Sequence, residues 1–151
     1  MADLVRHVVC PSCSAINRVP ATRAAVDAKC GTCHNKLFTG QPATVDSKSF
    51  ERHIARNDIP VVVDFWAQWC GPCLTMAPAY EQATAELEPD FRFLKVNADE
   101  EQQLMAKFAI RSIPTIMLFS KGGVVAQSAG AMNARGLVAW VKSHAPAGST
   151  A

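Results

Sequence analysis

The 151-residue chain has no apolar run long enough to cross a membrane. Its longest apolar stretches, residues 61–66 and 113–119, fall far short of the roughly 20 residues that a spanning helix needs. The first seven residues also have no apolar core of the kind found in secretory signal peptides. We therefore expect a cytoplasmic protein that works in a reducing compartment and does not enter a membrane.

An excess of one charge is also absent. Lys and Arg number 15 against 13 for Asp and Glu, which leaves a net charge of +2. Basic residues do occur among residues 1–38, but no aromatic side chains alternate with them as they do on surfaces that stack against bases. We therefore expect no nucleic acid among the partners of this protein.

Cysteine is plentiful for a chain expected in a reducing compartment. The six cysteines form three pairs of identical spacing: Cys10-x2-Cys13, Cys30-x2-Cys33 and Cys70-x2-Cys73. In such a compartment cysteines bind metals or carry out redox chemistry more often than they form structural disulfides. The sequence around each pair then decides which role it has.

The first two pairs lie in a block, residues 1–38, that contains too few apolar residues to be ordered by hydrophobic burial alone. Sixteen residues separate the two pairs, a spacing typical of four-cysteine zinc sites, and metal binding would order the block. Iron and a pair of disulfides are the alternatives, and we expect His34, beside the last cysteine, to be a bystander. The predicted ligands of one structural zinc ion are Cys10, Cys13, Cys30 and Cys33.

A segment with glycine and proline, residues 39–43, is predicted to be a linker. After it, residues 44–151 alternate between strand and helix patterns, and the order from residue 43 is β-α-β-α-β-α-β-β-α. This order predicts an α/β domain with a mixed central sheet and helices on both faces. Within it, Asp99 and Gln102 resemble a capping box at the start of the third helix.

The third cysteine pair follows a strand, Val61–Trp66, that is apolar at nearly every position and so is expected to be buried on both faces. A helical pattern begins at the pair. The unpaired N–H groups and positive dipole end of a helix N-terminus favour thiolate over thiol. We therefore predict that Cys70 is an attacking thiol at the protein surface and that Cys73, one turn inside the helix, is a more buried resolving thiol. A metal half-site or a structural disulfide is the alternative.

Two further residues stand out near this pair. Asp64 is an acid inside the apolar strand, where burial would raise its pKa and suit it to accept a proton from the resolving thiol. Exposure at a strand edge is the alternative for Asp64. Pro114 precedes a predicted strand, where proline is tolerated as a first residue or with a cis bond in a tight turn.

Taken together, these features resemble the thioredoxin family, over about residues 43–145. The four-cysteine block ahead of this domain resembles that of the zinc-containing second thioredoxins of bacteria. The segments that carry the resemblance in the main domain are Val63–Ala67, Trp69–Cys73, Pro78, Ile113–Thr115 and Gly130–Ala131.

The resemblance implies a thioredoxin fold and reduction of protein disulfides by exchange at Cys70 and Cys73. It makes Asp64 the buried acid, paired with Lys95, and Pro114 a cis-proline facing the dithiol. An NADPH-dependent thioredoxin reductase would restore the dithiol, and we expect a monomer. A flat apolar patch would dock an extended substrate peptide, and the substrate-binding set is Trp69, Gly71, Pro72, Ile113, Gly130 and Ala131.

The sequence departs from the family pattern beside the dithiol. Leu74 stands where lysine is common, Gln68 where an acid is frequent, and Ser112 where glycine is common. Because one nearby charge of each sign is lost, the reduction potential of the dithiol is free to differ from the family norm.

Two other functions fit parts of the sequence. The four-cysteine block could bind a partner, or act as a redox switch that releases its metal on oxidation. A disulfide oxidase or isomerase would share the fold and the dithiol. Gly71 and Pro72 between the cysteines resemble the reducing members of the family, which favours disulfide reduction.

Overall fold

The structure is a computed structural model that describes residues 5–20 and 24–146. The outermost parts of the predicted segments, residues 1–4 and 147–151, lie outside the described residues. The order of elements from Ala43 onward is the predicted one. The elements are β1 (Val5–Val9), β2 (Ile16–Pro20), a 3₁₀ helix (Ala25–Asp27), β3 (Ala43–Thr44), α1 (Ser47–Arg56), β4 (Val61–Trp66), α2 (Gly71–Leu87), β5 (Arg92–Asn97), α3 (Gln102–Lys107), β6 (Thr115–Ser120), β7 (Gly123–Ala129) and α4 (Ala134–His144).

The main sheet has five strands in the order β3-β5-β4-β6-β7. β4 is parallel to β5 and antiparallel to β6, so the sheet is mixed, as predicted. Every residue of β4 except Trp66 is buried, which explains its nearly continuous apolar sequence. None of the helices in the described part of the chain has the length and apolar character needed to cross a membrane.

Two apolar clusters pack on the two faces of this sheet. Val63 and Phe65 of β4 belong to the cluster beneath α1 and α3, whereas Val62 belongs to the cluster beneath α2 and α4. Side chains alternate between faces along a strand, so Asp64 lies on the same face as Val62. This places Asp64 beneath α2, the helix that begins at the third cysteine pair.

The predicted capping box at the start of α3 is wrong. α3 begins at Gln102, its N-cap is Glu101, and no side chain caps it. The Asp99 carboxylate instead accepts a hydrogen bond from Trp69 Nε1 (2.9 Å), and that of Glu101 accepts one from the Ser47 hydroxyl (2.6 Å). Both acids are thus engaged by distant segments, which a local sequence pattern does not reveal.

The N-terminal block contains a two-stranded antiparallel sheet, β1 with β2, which the sequence did not predict. Its apolar cluster includes Val8, Leu37 and Phe38, and also Ile59, which lies just before β4. The block therefore packs against the end of the main sheet at which β4 begins.

Candidate active site and metal centre

The third cysteine pair lies between the end of β4 and the start of α2. Cys70 is the N-cap residue of α2, with extended backbone, and its Sγ accepts a hydrogen bond from the Cys73 N–H at 3.2 Å. Pro72 lies in the first turn, where its missing N–H leaves no carbonyl unpaired. The two sulfurs form a disulfide. Cys70 thus has the helix-terminus environment that the sequence predicted.

Both sulfurs are more enclosed than a surface position would imply. Cys70 is 4% exposed and Cys73 is 2% exposed, so Cys73 is the more buried of the two, as predicted, but only slightly. The cover comes from the loop before β6, whose Ile113 carbonyl oxygen lies 3.7 Å from Cys70 Sγ. That loop is 43 residues further along the chain, so the strand-and-helix pattern around the cysteines does not indicate it.

The loop opposite the dithiol has the predicted cis peptide bond between Ile113 and Pro114. The Pro114 carbonyl accepts a hydrogen bond from the Gly130 N–H at 2.8 Å. Gly130 has φ = 103°, a conformation that side chains disfavour, so glycine suits this position. The structure therefore brings Ile113, Pro114 and Gly130 together beside Cys70. A second cis bond, Glu88–Pro89, lies away from this site and was not predicted.

The surface around the dithiol is apolar and exposed. Trp69 is 70% exposed, and the hydrogen bond from its Nε1 to Asp99 fixes the indole ring. Leu74, which sequence analysis noted only as a departure from the family pattern, is 49% exposed and adds apolar surface directly after the motif. The remaining residues of the predicted patch are exposed or partly exposed: Gly71, Pro72, Ile113, Gly130 and Ala131.

Asp64 is 1% exposed, so the edge-strand alternative is wrong. Burial raises the pKa of Asp64 to about 7, although the charge of Lys95 opposes this rise. Asp64 Oδ1 has no hydrogen-bond partner within the described chain. Asp64 therefore exchanges its proton near neutral pH, as a proton acceptor for a thiol requires.

Asp64 and Lys95 are neighbours on paired strands, but they do not form the predicted ion pair. Lys95 is the register partner of Asp64 on β5. Its ammonium, however, lies 4.5 Å from the ring centroid of Trp66. Across residues 5–20 and 24–146, the ion pairs do not include Asp64 with Lys95. Lys95 thus acts on Asp64 through its nearby charge and not through direct contact.

The four N-terminal cysteines form a second cluster. Their Sγ atoms all lie within 4.8 Å of one another. Cys10 Sγ lies 3.6 Å from Cys33 Sγ, and Cys13 Sγ lies 3.6 Å from Cys30 Sγ. A tetrahedral ion with metal–sulfur bonds of about 2.3 Å would place its sulfurs about 3.8 Å apart. The spacing therefore fits one four-coordinate ion held by these four cysteines.

Backbone N–H groups stabilise thiolates in this cluster. The Ser12 N–H donates to Cys10 Sγ (3.3 Å) and the Thr32 N–H donates to Cys30 Sγ (3.4 Å). Backbone donation, chiefly from Cys33, lowers the pKa of Cys30 to about 5. Burial, in contrast, raises the pKa of Cys10, and the pKa of Cys13 is raised to about 12 by burial and the neighbouring cysteine sulfurs. Four thiolates at this spacing repel one another, so the donor set is suited to a cation with affinity for sulfur.

His34 does not belong to the sulfur cluster. Among the residues that the structure describes, the group of potential ligands consists of the four cysteines. His34 instead closes a turn with φ = 69°, and its N–H donates to the Cys30 carbonyl at 2.9 Å. Ser14 occupies the equivalent position after the first pair, with φ = 66°. These observations support the prediction that His34 is a bystander.

Known proteins are similar to the chain in both parts. A family model described as "Thioredoxin" matches residues 41–143, and one described as "Thioredoxin 2, N-terminal" matches residues 9–35. Thioredoxin C-3 of Corynebacterium nephridii is 40% identical over 134 residues, which are 89% of this chain and 92% of that protein. A thioredoxin of Rickettsia bellii is 39% identical over 102 residues, 68% of this chain and 97% of that protein.

Solved structures are similar to the chain at lower sequence identity. A chloroplastic thioredoxin z superposes with a TM-score of 0.63 at 28% identity, over 68% of this chain and 93% of that one. A mutant thioredoxin from Halobacterium salinarum NRC-1 superposes with a TM-score of 0.64 at 28% identity, over 72% of this chain and 95% of that one. The fold of the main domain is therefore the thioredoxin fold, as predicted.

Replacing Asp64→Asn is expected to remove a pH dependence of stability. The pKa of Asp64 is about 7 in the folded protein against an ordinary value of 3.8, so between these values the folded state holds a proton that the unfolded state has lost. The free energy of unfolding therefore falls as pH rises through this window, by up to about 4 kcal/mol. Urea unfolding between about pH 4 and pH 8 measures this fall in both proteins.

The comparison between the two proteins is needed because other groups also titrate. Burial lowers the pKa of His53 to about 3, which weakens the fold toward acidic pH in both proteins alike. The difference between wild type and Asp64→Asn isolates the carboxyl. An identical pH dependence in the two proteins would contradict the assignment of a raised pKa to Asp64.

The variant His34→Gly is expected to keep the metal content of the wild type. Glycine adopts φ = 69° without a side-chain clash, so the free energy of unfolding should change by less than about 1 kcal/mol. The variant Cys33→Ser is the matched control and should lose the metal. Elemental analysis of the purified proteins measures the metal content. Loss of metal from His34→Gly would show that His34 is a ligand and would contradict its assignment as a bystander.

Proposed function

Because the chain belongs to the thioredoxin family, we propose that Cys70 attacks protein disulfides and that Cys73 releases the product. The family carries out thiol–disulfide exchange, and this chain is a thiol–disulfide oxidoreductase that reduces protein disulfides. One observation supports the assignment of roles above all others. The sulfur of Cys70 occupies the N-cap of α2 and accepts a helix N–H, whereas Cys73 lies inside the first turn.

The exchange proceeds in two steps. The Cys70 thiolate attacks one sulfur of the substrate disulfide, and the other substrate sulfur leaves as a thiolate that takes up a proton. Cys73 then loses its proton and attacks Cys70 Sγ, which forms the Cys70–Cys73 disulfide and releases the second substrate sulfur. Two electrons pass from the dithiol to the substrate. The reaction therefore ends with this protein in its disulfide form.

Asp64 is proposed to accept the proton of Cys73. It lies beneath α2 on the face of the sheet that this helix covers, and its pKa of about 7 suits proton uptake near neutral pH. Its orphaned Oδ1 supports transfer through water, because a buried carboxylate oxygen favours a hydrogen-bond partner.

The substrate is proposed to be an extended peptide segment that lies across the apolar patch. Cis-Pro114 and the exposed Trp69 flank the enclosed sulfur of Cys70. Because Cys70 is only 4% exposed, a substrate disulfide has to approach closely, and an extended chain is the shape that fits between the two flanks. Leu74 extends the patch with apolar surface, so substrates with apolar side chains near the disulfide are favoured.

The electron donor is proposed to be an NADPH-dependent thioredoxin reductase. Its flavin-linked dithiol would reduce Cys70–Cys73 by the reverse exchange, at the same surface that docks substrates. We infer the cytoplasm as the working compartment, because four cysteines arranged to bind one metal ion are typical of proteins in reducing compartments.

The ion at the N-terminal cluster is proposed to be zinc. Four sulfur donors that converge on one point suit a closed, tetrahedral, redox-inactive site, in which the ion would cross-link the two cysteine turns. Iron is the competitor, since it also accepts four thiolates. Elemental analysis and the visible spectrum separate the two ions, because zinc thiolates are colourless whereas iron thiolates absorb visible light. Iron as the main metal of a protein isolated from its natural source would overturn the zinc assignment.

Serine variants of the dithiol are expected to separate the two steps. Cys70→Ser should reduce insulin disulfides no faster than the uncatalysed reaction, because the remaining thiol of the pair, Cys73, is buried. Cys73→Ser should accumulate a mixed disulfide, with one substrate chain bound at Cys70, because nothing resolves it. Turbidity during insulin reduction and non-reducing electrophoresis measure these outcomes.

The variant Thr75→Ser, on the exposed side of α2, is the matched control and should retain activity. Full activity in Cys70→Ser would contradict its role as the nucleophile. A mixed disulfide that forms through Cys73 in place of Cys70 would reverse the two roles.

A further inference from the structure

Arg92 is the most deeply buried charge outside the dithiol site. It is the first residue of β5 and is 1% exposed, although arginine is rarely buried without partners. Its Nη2 donates to the carbonyls of Val9 (3.1 Å) and Leu37 (2.8 Å). Its guanidinium carbon lies 4.6 Å from the ring centroid of Phe38. All three partners belong to the N-terminal block, so a side chain of the main sheet reaches into the metal-binding part.

The residues that Arg92 holds are close to the metal ligands in the chain. Val9 immediately precedes Cys10, and Leu37 follows shortly after Cys33. The other backbone group of Val9 is also held from the main domain, because its N–H donates to the buried Asn57 Oδ1 at 2.8 Å. Both backbone hydrogen-bonding groups of Val9, the residue before the first metal ligand, are thus held by side chains of the dithiol domain.

A buried carboxylate balances the charge of Arg92. Arg92 Nη1 lies 3.5 Å from Glu88 Oε2, and the two side chains are 1% and 4% exposed. Glu88 Oε1 accepts a hydrogen bond from the Gly40 N–H at 2.8 Å. A buried ion pair is stable only while its remaining hydrogen-bonding capacity is satisfied. Displacing Val9 and Leu37 would therefore leave Arg92 Nη2 without an acceptor, with Glu88 as the remaining partner of the buried cation.

This junction is far from the dithiol. Arg92 is the register partner of Val61, the first residue of β4, whereas Trp66 at the other end leads to Cys70. Five rises of about 3.3 Å separate the two ends of β4 by about 17 Å. The metal therefore does not contact a substrate at Cys70, and an influence on the dithiol domain has to pass through its folded structure.

We propose that Arg92 is a positioning residue of the metal site and that it couples metal binding to the stability of the dithiol domain. The proposal rests on the proposed binding of a metal ion at the four cysteines. With the ion bound, the cysteine turns hold Val9 and Leu37 where they accept hydrogen bonds from Arg92. Four thiolates around a divalent ion also retain negative charge, which the guanidinium behind Cys10 offsets.

Loss of the ion would remove the constraint that holds Val9 and Leu37 in place. The apolar cluster of the block is small, so without the ion the Val9 and Leu37 carbonyls would move away from the guanidinium. A buried guanidinium whose Nη2 has lost both of its acceptors would then remain within the central sheet of the dithiol domain. That domain should consequently become less stable when the metal is removed, although no metal ligand belongs to it.

Unfolding of the wild-type protein tests this coupling without any substitution. All three tryptophans lie in the dithiol domain, so their fluorescence reports the unfolding of that domain alone: Trp66, Trp69 and Trp140. Removing the metal with a chelator under reducing conditions is expected to lower the fluorescence-detected unfolding temperature by about 5 °C or more. An unchanged unfolding temperature would overturn the proposal.

A pair of variants tests the part played by Arg92. The double variant Arg92→Met with Glu88→Gln removes both buried charges, so neither is left alone, and the amide oxygen introduced by Glu88→Gln can still accept from the Gly40 N–H. The zinc affinity of this double variant, measured by competition with a chromophoric chelator, is expected to fall about 10- to 100-fold. Insulin reduction by the same protein shows that the dithiol domain is folded.

The matched control is Arg52→Met. Arg52 is exposed and also donates to a carbonyl of the N-terminal block, that of Ser14, at 2.7 Å. Its loss should leave zinc affinity unchanged. Wild-type affinity in the double variant would overturn the role of Arg92, whereas a wild-type protein that binds no metal would overturn the proposed metal site. The unfolding experiment on the wild-type protein needs no variant. It therefore tests the coupling even if the double variant does not fold.

Discussion

The hydrogen bond from the Cys73 N–H to the Cys70 sulfur depends on the position at which β4 ends and α2 begins. β4 is at the centre of the sheet and buried on both faces, so its end is fixed by pairing with two neighbouring strands. The same strand places Asp64 beneath α2. The paired strand β6 begins directly after Pro114, which brings the cis-proline loop over the dithiol. The central strands β4 and β6 thus position the nucleophile, the proton acceptor and the substrate-docking loop.

Cysteine pairs of identical spacing have two roles in this chain. The backbone conformation after each pair determines whether it joins the metal cluster or forms the dithiol. In all three pairs the residue after the second cysteine donates its N–H to the carbonyl of the first: Ser14 to Cys10, His34 to Cys30 and Leu74 to Cys70. After the first two pairs that residue has positive φ, and the chain turns back so that the two pairs face each other. After the third pair it continues as helix, so Cys70 and Cys73 have only each other.

The sequence was sufficient to predict the order of elements, the four-cysteine cluster and the burial of Asp64. These follow from local patterns: the apolar run of β4, the paired spacing of the cysteines, and an acid in an apolar strand that leads directly to a cysteine pair. The loop at Ile113 and Pro114 that faces Cys70 was predicted from the family resemblance and not from a local pattern. What the sequence did not reveal depends on contacts between distant segments, such as the engagement of Asp99 by Trp69. Arg92, like Asp64, is a charged residue in an apolar strand. The carbonyls that accept its hydrogen bonds, however, lie 83 and 55 residues away along the chain, so a local pattern does not reveal them.

One chain thus divides six cysteines between a reactive dithiol and a protected metal cluster. Alkylation of the reduced, metal-loaded protein with iodoacetamide, followed by peptide mass spectrometry, tests this division most directly. We expect that Cys70 is modified first and that modification of the metal-loaded protein is confined to the Cys70–Cys73 pair. All six cysteines should react once a chelator has removed the metal. Modification of Cys10, Cys13, Cys30 and Cys33 at the rate of Cys70 in the metal-loaded protein would contradict this division.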